Sequence, residues 1–385
     1  MWDEDGLLAV RRLGLVEYED GLLIQRLVEQ ERQRGAVPDT ILLLEHPPVI
    51  TVGRSAAQKA SRQILCPLER LRELGIDVVQ TDRGGAVTYH GPGQLVAYPI
   101  LQLRGAERDV HHYLRLLEEV IIRTLADFGI EAHREAGRTG VWVRGEKIAS
   151  IGVHLSRWIT RHGLALNVAN DLSPFDLIVP CGLSGVRMTS MERVCGQHVS
   201  FDQVESALIG HFGQVFNRRP FVKPIDRESV MVILRSLPDN RYLLFKRRAE
   251  AGGFWQPVTG FIEPGESPPA AAIREVAEET GLKDQCPPLH RLPYIHAFAI
   301  APELLPDLSL PQPVIVREHT FAAELPGEPG KIELDPREHT EYEFVPYDQA
   351  LTRVVWAGTR RALKLAEQTL NQLSVLKRLR TGADL

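Results

Sequence analysis

Cysteine is scarce in this 385-residue chain. The four, Cys66, Cys181, Cys195 and Cys286, form no CxxC pair and no dense framework. That spacing speaks against a disulfide scaffold and fits a reduced compartment, hence a cytoplasmic protein. Long apolar runs are also missing. None approaches the ~18 residues of a membrane span, and the acidic start MWDEDGLLAVRR lacks the apolar core of a signal peptide, so no membrane association is expected. A basic excess is lacking too: 45 Lys and Arg against 50 Asp and Glu leave a net charge of −5. Nothing here marks a nucleic-acid partner. The 13 histidines are scattered without a metal-ligand spacing.

What is present is ordinary globular composition, 44% hydrophobic and 25% charged. The length exceeds one ordinary core, so two domains are expected. Apolar spacing predicts a helix over 19–34, ended by Pro38, and strands over 40–44 and 49–52 either side of a turn holding His46. A short helix over 67–75 and a strand over 77–80 follow. Residues 83–94, RGGAVTYHGPGQ, carry enough Gly and Pro for a constrained loop or hairpin. A strand over 95–103 and an amphipathic helix over 110–128 come next. Residues 141–144 and 147–155 read as a hairpin across Gly145-Glu146, and 163–168 continue the sheet. Ser200 reads as the N-cap of a helix to Phe216. RRPFVKP, with two prolines, reads as a linker. Beyond it, 230–234 and 242–245 form a hairpin across a Pro-Asp-Asn turn. The Pro-rich stretch 293–313 is expected to be loop, 318–323 and 341–345 strands, 349–376 largely helical, and the charged tail frayed.

Two residues between 141 and 183 are able to do covalent chemistry together. Cys181 sits in a Pro-Cys-Gly turn after an apolar run, and Lys147 opens KIASIG. A thiol is a strong nucleophile as thiolate; a neighbouring amine lowers its pKa and shuttles the proton. On spacing alone, a lone cysteine is more often a small buried hydrophobe and a lone lysine a solvated charge. Three strings alter that balance: KIASIG at 147–152, HGLALN at 162–167 and PCG at 180–182. Together they resemble the octanoyl-[acyl-carrier-protein]:protein octanoyltransferases, the lipoate-protein ligase B family. LLLEHPPVITVGR and RGG-x-VTYHGPGQ fit the same pattern. The resemblance implies Cys181 and Lys147 as catalytic residues. It further implies that Arg83, Gly84, Gly85, Ala86, Val87, Thr88, Tyr89 and His90, with Ser150, Ile151, Gly152, Gly163, Leu164 and Ala165, bind the acyl chain. His46 reads equally as a site residue or a structural turn histidine.

A second constellation spans 260–282, GFIEPGESPPAAAIREVAEETGL. Ser267 suits an N-cap, Pro268 the N1 position and Gly281 the C′ position. Glu275, Glu278 and Glu279 share one helix face. A solvated acidic face is the bland reading of such a triplet; a hard divalent cation, Mg²⁺ or Mn²⁺, is the functional one. The whole string matches the Nudix box G-x5-E-x7-R-E-U-x-E-E-x-G-U at every position. That resemblance implies metal ligands at Glu275, Glu278 and Glu279, supported by Gly260, Glu266 and Arg274, and a nucleotide-type substrate. FWQPVTG and Glu338-His339 resemble the dATP and dihydroneopterin-triphosphate pyrophosphohydrolase branch. Trp255 reads as a base contact or a core residue, and Glu338 or Glu341 as a candidate distal carboxylate.

The expected fold class is α/β (α+β): a biotinyl/lipoyl protein ligase-like domain over residues 1–217, a linker over 218–225, a Nudix α/β/α sandwich over 226–375 and a tail over 376–385. The resemblance implies a bifunctional enzyme. Its first half would take octanoyl from octanoyl-acyl-carrier protein, without ATP or metal. The acceptors would be lysines on lipoyl domains of 2-oxoacid dehydrogenases or on the glycine-cleavage H protein. The alternatives are an ATP-dependent lipoate ligase or an octanoyl amidotransferase in the first domain, with a nucleotide-sensing Nudix module in the second.

Overall fold

The computed structural model describes residues 6–56, 63–179, 185–237, 239–282, 286–300, 314–325 and 332–381. The Pro-Cys-Gly turn with Cys181, and Pro238 of the hairpin turn, lie outside them. The chain divides into two compact units, Met1–Pro224 and Ile225–Leu385.

In the first unit the strands are β1 (Leu7–Leu15), β2 (Asp39–Glu45), β3 (Val49–Val52), β4 (Asp77–Gln80), β5 (Val87–His90), β6 (Gln94–Ile100), β7 (His133–Glu135), β8 (Arg138–Val143), β9 (Glu146–Ser156), β10 (Ile159–Asn167) and β11 (Arg219–Val222). They form a main sheet, β11-β1-β2-β6-β10-β9-β8-β7, and a small sheet, β4-β3-β5. Helices Val110–Ala126 and Phe201–Val215 cover one face of the main sheet. Leu95, Ala97, Leu164, Leu166 and Ala149 alternate onto that face and join Leu117, Val120 and Leu208 in one core. Asp109 caps the first helix by accepting from the His112 N–H at 2.8 Å. The β8–β9 hairpin turns at Arg144 and Gly145, both at positive φ (50° and 80°), a two-residue turn whose twist matches the strands.

The second unit carries β12 (Arg227–Ser236), β13 (Arg241–Arg247), β14 (Trp255–Gln256), β15 (Val258–Phe261), β16 (His290–Ile300), β17 (Val314–Leu325) and β18 (His339–Val345). Along β12, Val230, Val232 and Leu234 point to the helix Pro268–Thr280, packing with Ala271, Ala272 and Val276. Arg235 points to the other face. There its guanidinium, only 1% exposed, meets Glu324 at 2.8 Å, and Asn371 (2.6 Å), Ser374 (3.3 Å) and Glu367 (3.3 Å) of the helix Ala357–Thr381. The expected α/β/α sandwich follows from this alternation.

Three expectations are corrected. The basic stretch assigned to a linker, 218–225, instead supplies β11, parallel to β1. Arg218, at its start, donates to Asp39 at 2.9 Å and to Glu107 at 3.0 Å. Asp39 is 1% exposed and also holds Arg32 at 2.8 Å. Second, the Pro-rich stretch from 293 begins inside β16. Pro293 falls in a bulge between Arg291 and Ile295, where no ladder N–H is required; residues 301–313 lie outside the described ones. Third, helix continues to Thr381, into the residues expected to be a frayed tail.

Because Asp39 is buried between two guanidinium groups, Arg218→Ala is expected to destabilise the chain by about 3 kcal/mol, the range for breaking a buried ion pair. Urea unfolding of the full chain checks this; a true linker residue would change the midpoint little.

Candidate functional site

A pocket opens in the first unit between loop 83–86, β5, β9 and β10. Arg83, Gly85, Ala86, Thr88, His90, Ser150, Ile151, Gly152, Gly163, Leu164 and Ala165 line it. Three of the residues expected there do not. Val87 and Tyr89 alternate to the other face of β5 and pack with Ile50, Phe175 and Ile178, Tyr89 edge-on to Phe175 at 5.4 Å. Gly84 is spent on the frame: its N–H donates to the Val153 carbonyl at 2.9 Å. Its neighbour Gly152 has no room for a side chain, since a Cβ would meet the Gly84 carbonyl oxygen at 2.8 Å. The glycines therefore press the 83–86 loop directly onto β9.

The resemblance sets Arg83 against the acyl chain. Its Nη2 donates to the Thr51 carbonyl and hydroxyl, both at 2.7 Å, and Nη1 to the Gly84 carbonyl at 3.1 Å. It clamps the loop to β3 while its flank faces the pocket.

Lys147 is 1% exposed. Its backbone lies between those of Arg187 and Thr189: its N–H donates to Arg187 (2.8 Å), and its carbonyl accepts from Thr189 (2.9 Å). The pairing of β8 with β9 slips there, Val141 facing Ala149 and Trp142 facing Lys147. An extra residue in one strand reverses the facing of what precedes it. Lys147 is thus turned from the core face of Ala149 to the pocket face of Ser150. Its stem crosses Gly140, where a Cβ would come within 2.5 Å of Lys147 Cε. Gly140, at φ 126°, is a site residue that sequence reasoning missed; its only signal was a glycine inside a strand.

Sequence reasoning also missed Tyr18, Tyr98 and His162 as lining residues. His46 does not line the pocket; it stands behind. Its Nδ1–H donates to the Val16 carbonyl at 2.6 Å, so Nε2 accepts from the Tyr98 hydroxyl at 2.8 Å. Burial pushes its pKa down to about 4. His162 has φ 56°. Its Nε2–H donates to Asp82 at 2.8 Å, and Arg161 reaches the other oxygen of Asp82 at 2.7 Å. The hydrogen bond from His162, then Arg161, holds the Asp82 carboxyl far below its usual range, while burial lowers the pKa of His162. His90 Nδ1–H donates to Gln94 at 2.7 Å, and burial keeps its pKa well down.

In the second unit, Ser267 caps the helix Pro268–Thr280 and Gly281 closes it at φ 76°. Arg274 sits among the carboxylates. It grips Glu266 through Nε (3.1 Å) and Nη2 (3.0 Å), and meets Glu275 at 2.7 Å and Glu278 at 3.1 Å through Nη1. At Gly260 a Cβ would fall 1.9 Å from the Glu275 carboxyl, so only glycine lets that carboxylate fold back against β15. Glu275 and Glu279 are buried and Glu278 is exposed. Burial, opposed by Arg274, raises the Glu275 pKa to about 7; burial also raises that of Glu279. Glu279 Oε1 accepts from the Thr259 N–H at 3.3 Å, while Oε2 has no hydrogen-bond partner and lies 3.3 Å from His339 Nε2. Donor atoms of Glu279, Glu338 and His339 lie within 4.8 Å of one another. Glu341 instead pairs with Lys246 at 2.9 Å. An unsatisfied buried carboxylate oxygen among acidic groups fits a divalent cation. Trp255 is half-buried, with Lys246 and Arg353 against its ring at 5.9 and 5.1 Å.

The lipoyl protein ligase A/B catalytic domain family matches residues 17–213. The NUDIX domain family matches residues 226–366. Among curated relatives, an octanoyltransferase of Myxococcus xanthus is 44% identical over 367 residues, covering 93% of this chain and 99% of its own. Octanoyltransferases of Geobacter metallireducens and Rubrobacter xylanophilus are 45% and 51% identical over 217 and 210 residues. These cover 56% and 54% of this chain and 97% and 93% of theirs. Fold, site and matches define a lipoyl-ligase-type catalytic domain fused to a NUDIX domain. The chain belongs to the lipoyl protein ligase A/B catalytic domain family, as an octanoyltransferase with a C-terminal NUDIX hydrolase domain.

The buried His46 behind the pocket makes the fold acid-sensitive. His46 has a folded pKa near 4, below the ~6.5 of an unfolded histidine. The unfolded chain then binds the extra proton as pH falls below ~6.5. Stability is complete above that value and declines towards pH 4, by about 2 kcal/mol at pH 5 from His46 alone. Urea midpoints at pH 7 and pH 5 are expected to differ in that direction, with a smaller difference in His46→Gln.

Proposed function

We propose that the first unit transfers octanoyl by a covalent, two-step route. The Cys181 thiolate attacks the thioester carbonyl of octanoyl-acyl-carrier protein, and the carrier thiol departs with a proton relayed by Lys147. The ε-amine of a lysine on a lipoyl domain, of a 2-oxoacid dehydrogenase or the glycine-cleavage H protein, then attacks the octanoyl-enzyme thioester. An amide forms, Cys181 is released, and the amine proton returns through Lys147. The observation carrying this reading is a buried lysine turned by a strand bulge onto the sheet face that carries the pocket residue Ser150. The route needs neither ATP nor metal, and the cell compartment it suits is the cytoplasm.

The second unit, in the same reading, hydrolyses a nucleotide carrying a phosphoanhydride. Glu275, Glu278 and Glu279 would hold Mg²⁺ or Mn²⁺, with Glu338 and His339 beside them. A divalent cation bound there supplies neutralisation of phosphate charge and activation of water. The chain's own part is positional: Arg274 and Glu266 hold Glu275 and Glu278 in place, and Gly260 gives Glu275 its room.

Intact mass spectrometry after mixing with octanoyl-acyl-carrier protein tests the first reading. Wild type is expected to gain one hydroxylamine-labile octanoyl group and Cys181→Ser none. Gly140→Ala, which pushes the lysine stem aside, is expected to acylate on the order of 100-fold more slowly. No adduct on wild type with an intact donor would falsify the thioester route.

For the second unit, Glu279→Gln is expected to weaken Mn²⁺ binding at least tenfold by calorimetry and to abolish Mg²⁺-dependent hydrolysis across a nucleotide panel. Wild type that binds the nucleotides and cleaves none would instead mark a sensing module.

A further inference from the structure

The floor of the acyl pocket is built from very small residues. By strand alternation, Ser150 and Gly152 of β9 share a face with Ala165 and Gly163 of β10. Ser150 pairs with Ala165 and Gly152 with Gly163, so two adjacent rows across the sheet carry almost no side chain.

Beside these small residues, four rings crowd the same pocket. Tyr18, His90, Tyr98 and His162 all line the pocket and all are buried. His162 pairs with Val153, six positions along β9 from Lys147. Tyr98 meets the His162 ring edge-on at 6.1 Å, and Tyr18 stacks on His90 at 6.1 Å. His46 fills the space behind, 5.0 Å from Tyr18 and 5.8 Å from Tyr98 between ring centres.

Each ring is tethered by a side-chain hydrogen bond. Tyr98 is held by His46, His162 by Asp82 and His90 by Gln94, as above. The Tyr18 hydroxyl donates to Thr81 at 3.2 Å. Swinging any one of them aside would break a buried hydrogen bond and leave its partner unsatisfied. A wall of loose leucines or methionines would yield to a longer chain; this one is anchored.

We infer that the ring wall of Tyr18, His90, Tyr98 and His162 is the closed end of the acyl pocket and sets the longest fatty-acyl chain the enzyme loads. The inference deepens the octanoyl-transfer reading and rests on it. The small floor residues admit an extended alkyl chain without selecting its length. The wall selects by refusing methylenes beyond the last that fits. One excess methylene in a tight apolar pocket changes specificity by about 10–200-fold.

The test uses the full chain and acyl-carrier protein charged with hexanoyl, octanoyl, decanoyl or dodecanoyl groups. Initial rates of adduct formation are read by intact mass for wild type, Tyr98→Leu and Tyr18→Leu. The dodecanoyl-to-octanoyl rate ratio is measured within each protein, so partial loss of folded enzyme cancels. Wild type is expected to load dodecanoyl at least tenfold more slowly than octanoyl. Each variant is expected to raise the ratio at least tenfold while still loading octanoyl. Should Tyr98→Leu fail to fold, Tyr18→Leu, whose ring tethers to a different residue, carries the test alone. A ratio unchanged in a variant that still loads octanoyl overturns the wall as length gauge, and leaves the thioester route intact. Wild type that loads all four lengths equally does the same. Absence of any adduct on wild type strikes the thioester route itself, and the gauge with it.

Discussion

Lys147 is a long amine-bearing side chain enclosed in a β-sheet, and the architecture of the first unit depends on keeping it there. A strand gives every second residue to the core face, and regular pairing would give Lys147 to that face. One slipped pair between β8 and β9 turns it to the other side. Gly140 opens the path for its stem. Ser150, Gly152, Gly163 and Ala165 line the acyl pocket on the paired strands β9 and β10. The opposite face packs its apolar side chains beneath two helices.

Burial of polar groups raises the same demand elsewhere in the molecule. At and behind the acyl pocket, burial penalises the charged form of His90 and His46 and lowers their pKa values. The tautomers of His46 and His162 are set by acceptor-only partners, the Val16 carbonyl and the Asp82 carboxylate. In the second unit, burial of Glu275 and Glu279 raises their pKa values. Arg274 offsets part of the cost for Glu275. The Oε2 atom of Glu279 faces His339, 3.3 Å from its Nε2.

Much of this was legible in the sequence. The Nudix helix could be located to the residue because its cap, its N1 proline and its closing glycine are local signals. The strands at 49–52 and 77–80 were equally clear from short apolar or alternating runs between turn residues. The failures were non-local. RRPFVKP has linker composition, yet Arg218 finds Asp39 across the fold, and β1 offers an open edge. Pro293 reads as a strand breaker, but a bulge excuses it from the ladder. The run from Arg83 to His90 reads as one binding loop, whereas β5 alternation divides it between pocket and core.

The sequence by itself determined the chemistry at hand: which residues carry a thiol, an amine and a set of carboxylates, and where glycine permits turns and close approach. Those are properties of a residue and its immediate neighbours, governed by covalent structure and local backbone preference. Only the tertiary structure decided which way each group faces. Register slip at Lys147, the left-handed backbone at His162 and the joining of Tyr18, His46, His90 and Tyr98 into one cluster depend on partners tens of residues away. Those contacts form only when strands distant in the chain are brought into pairing, and no local pattern encodes them.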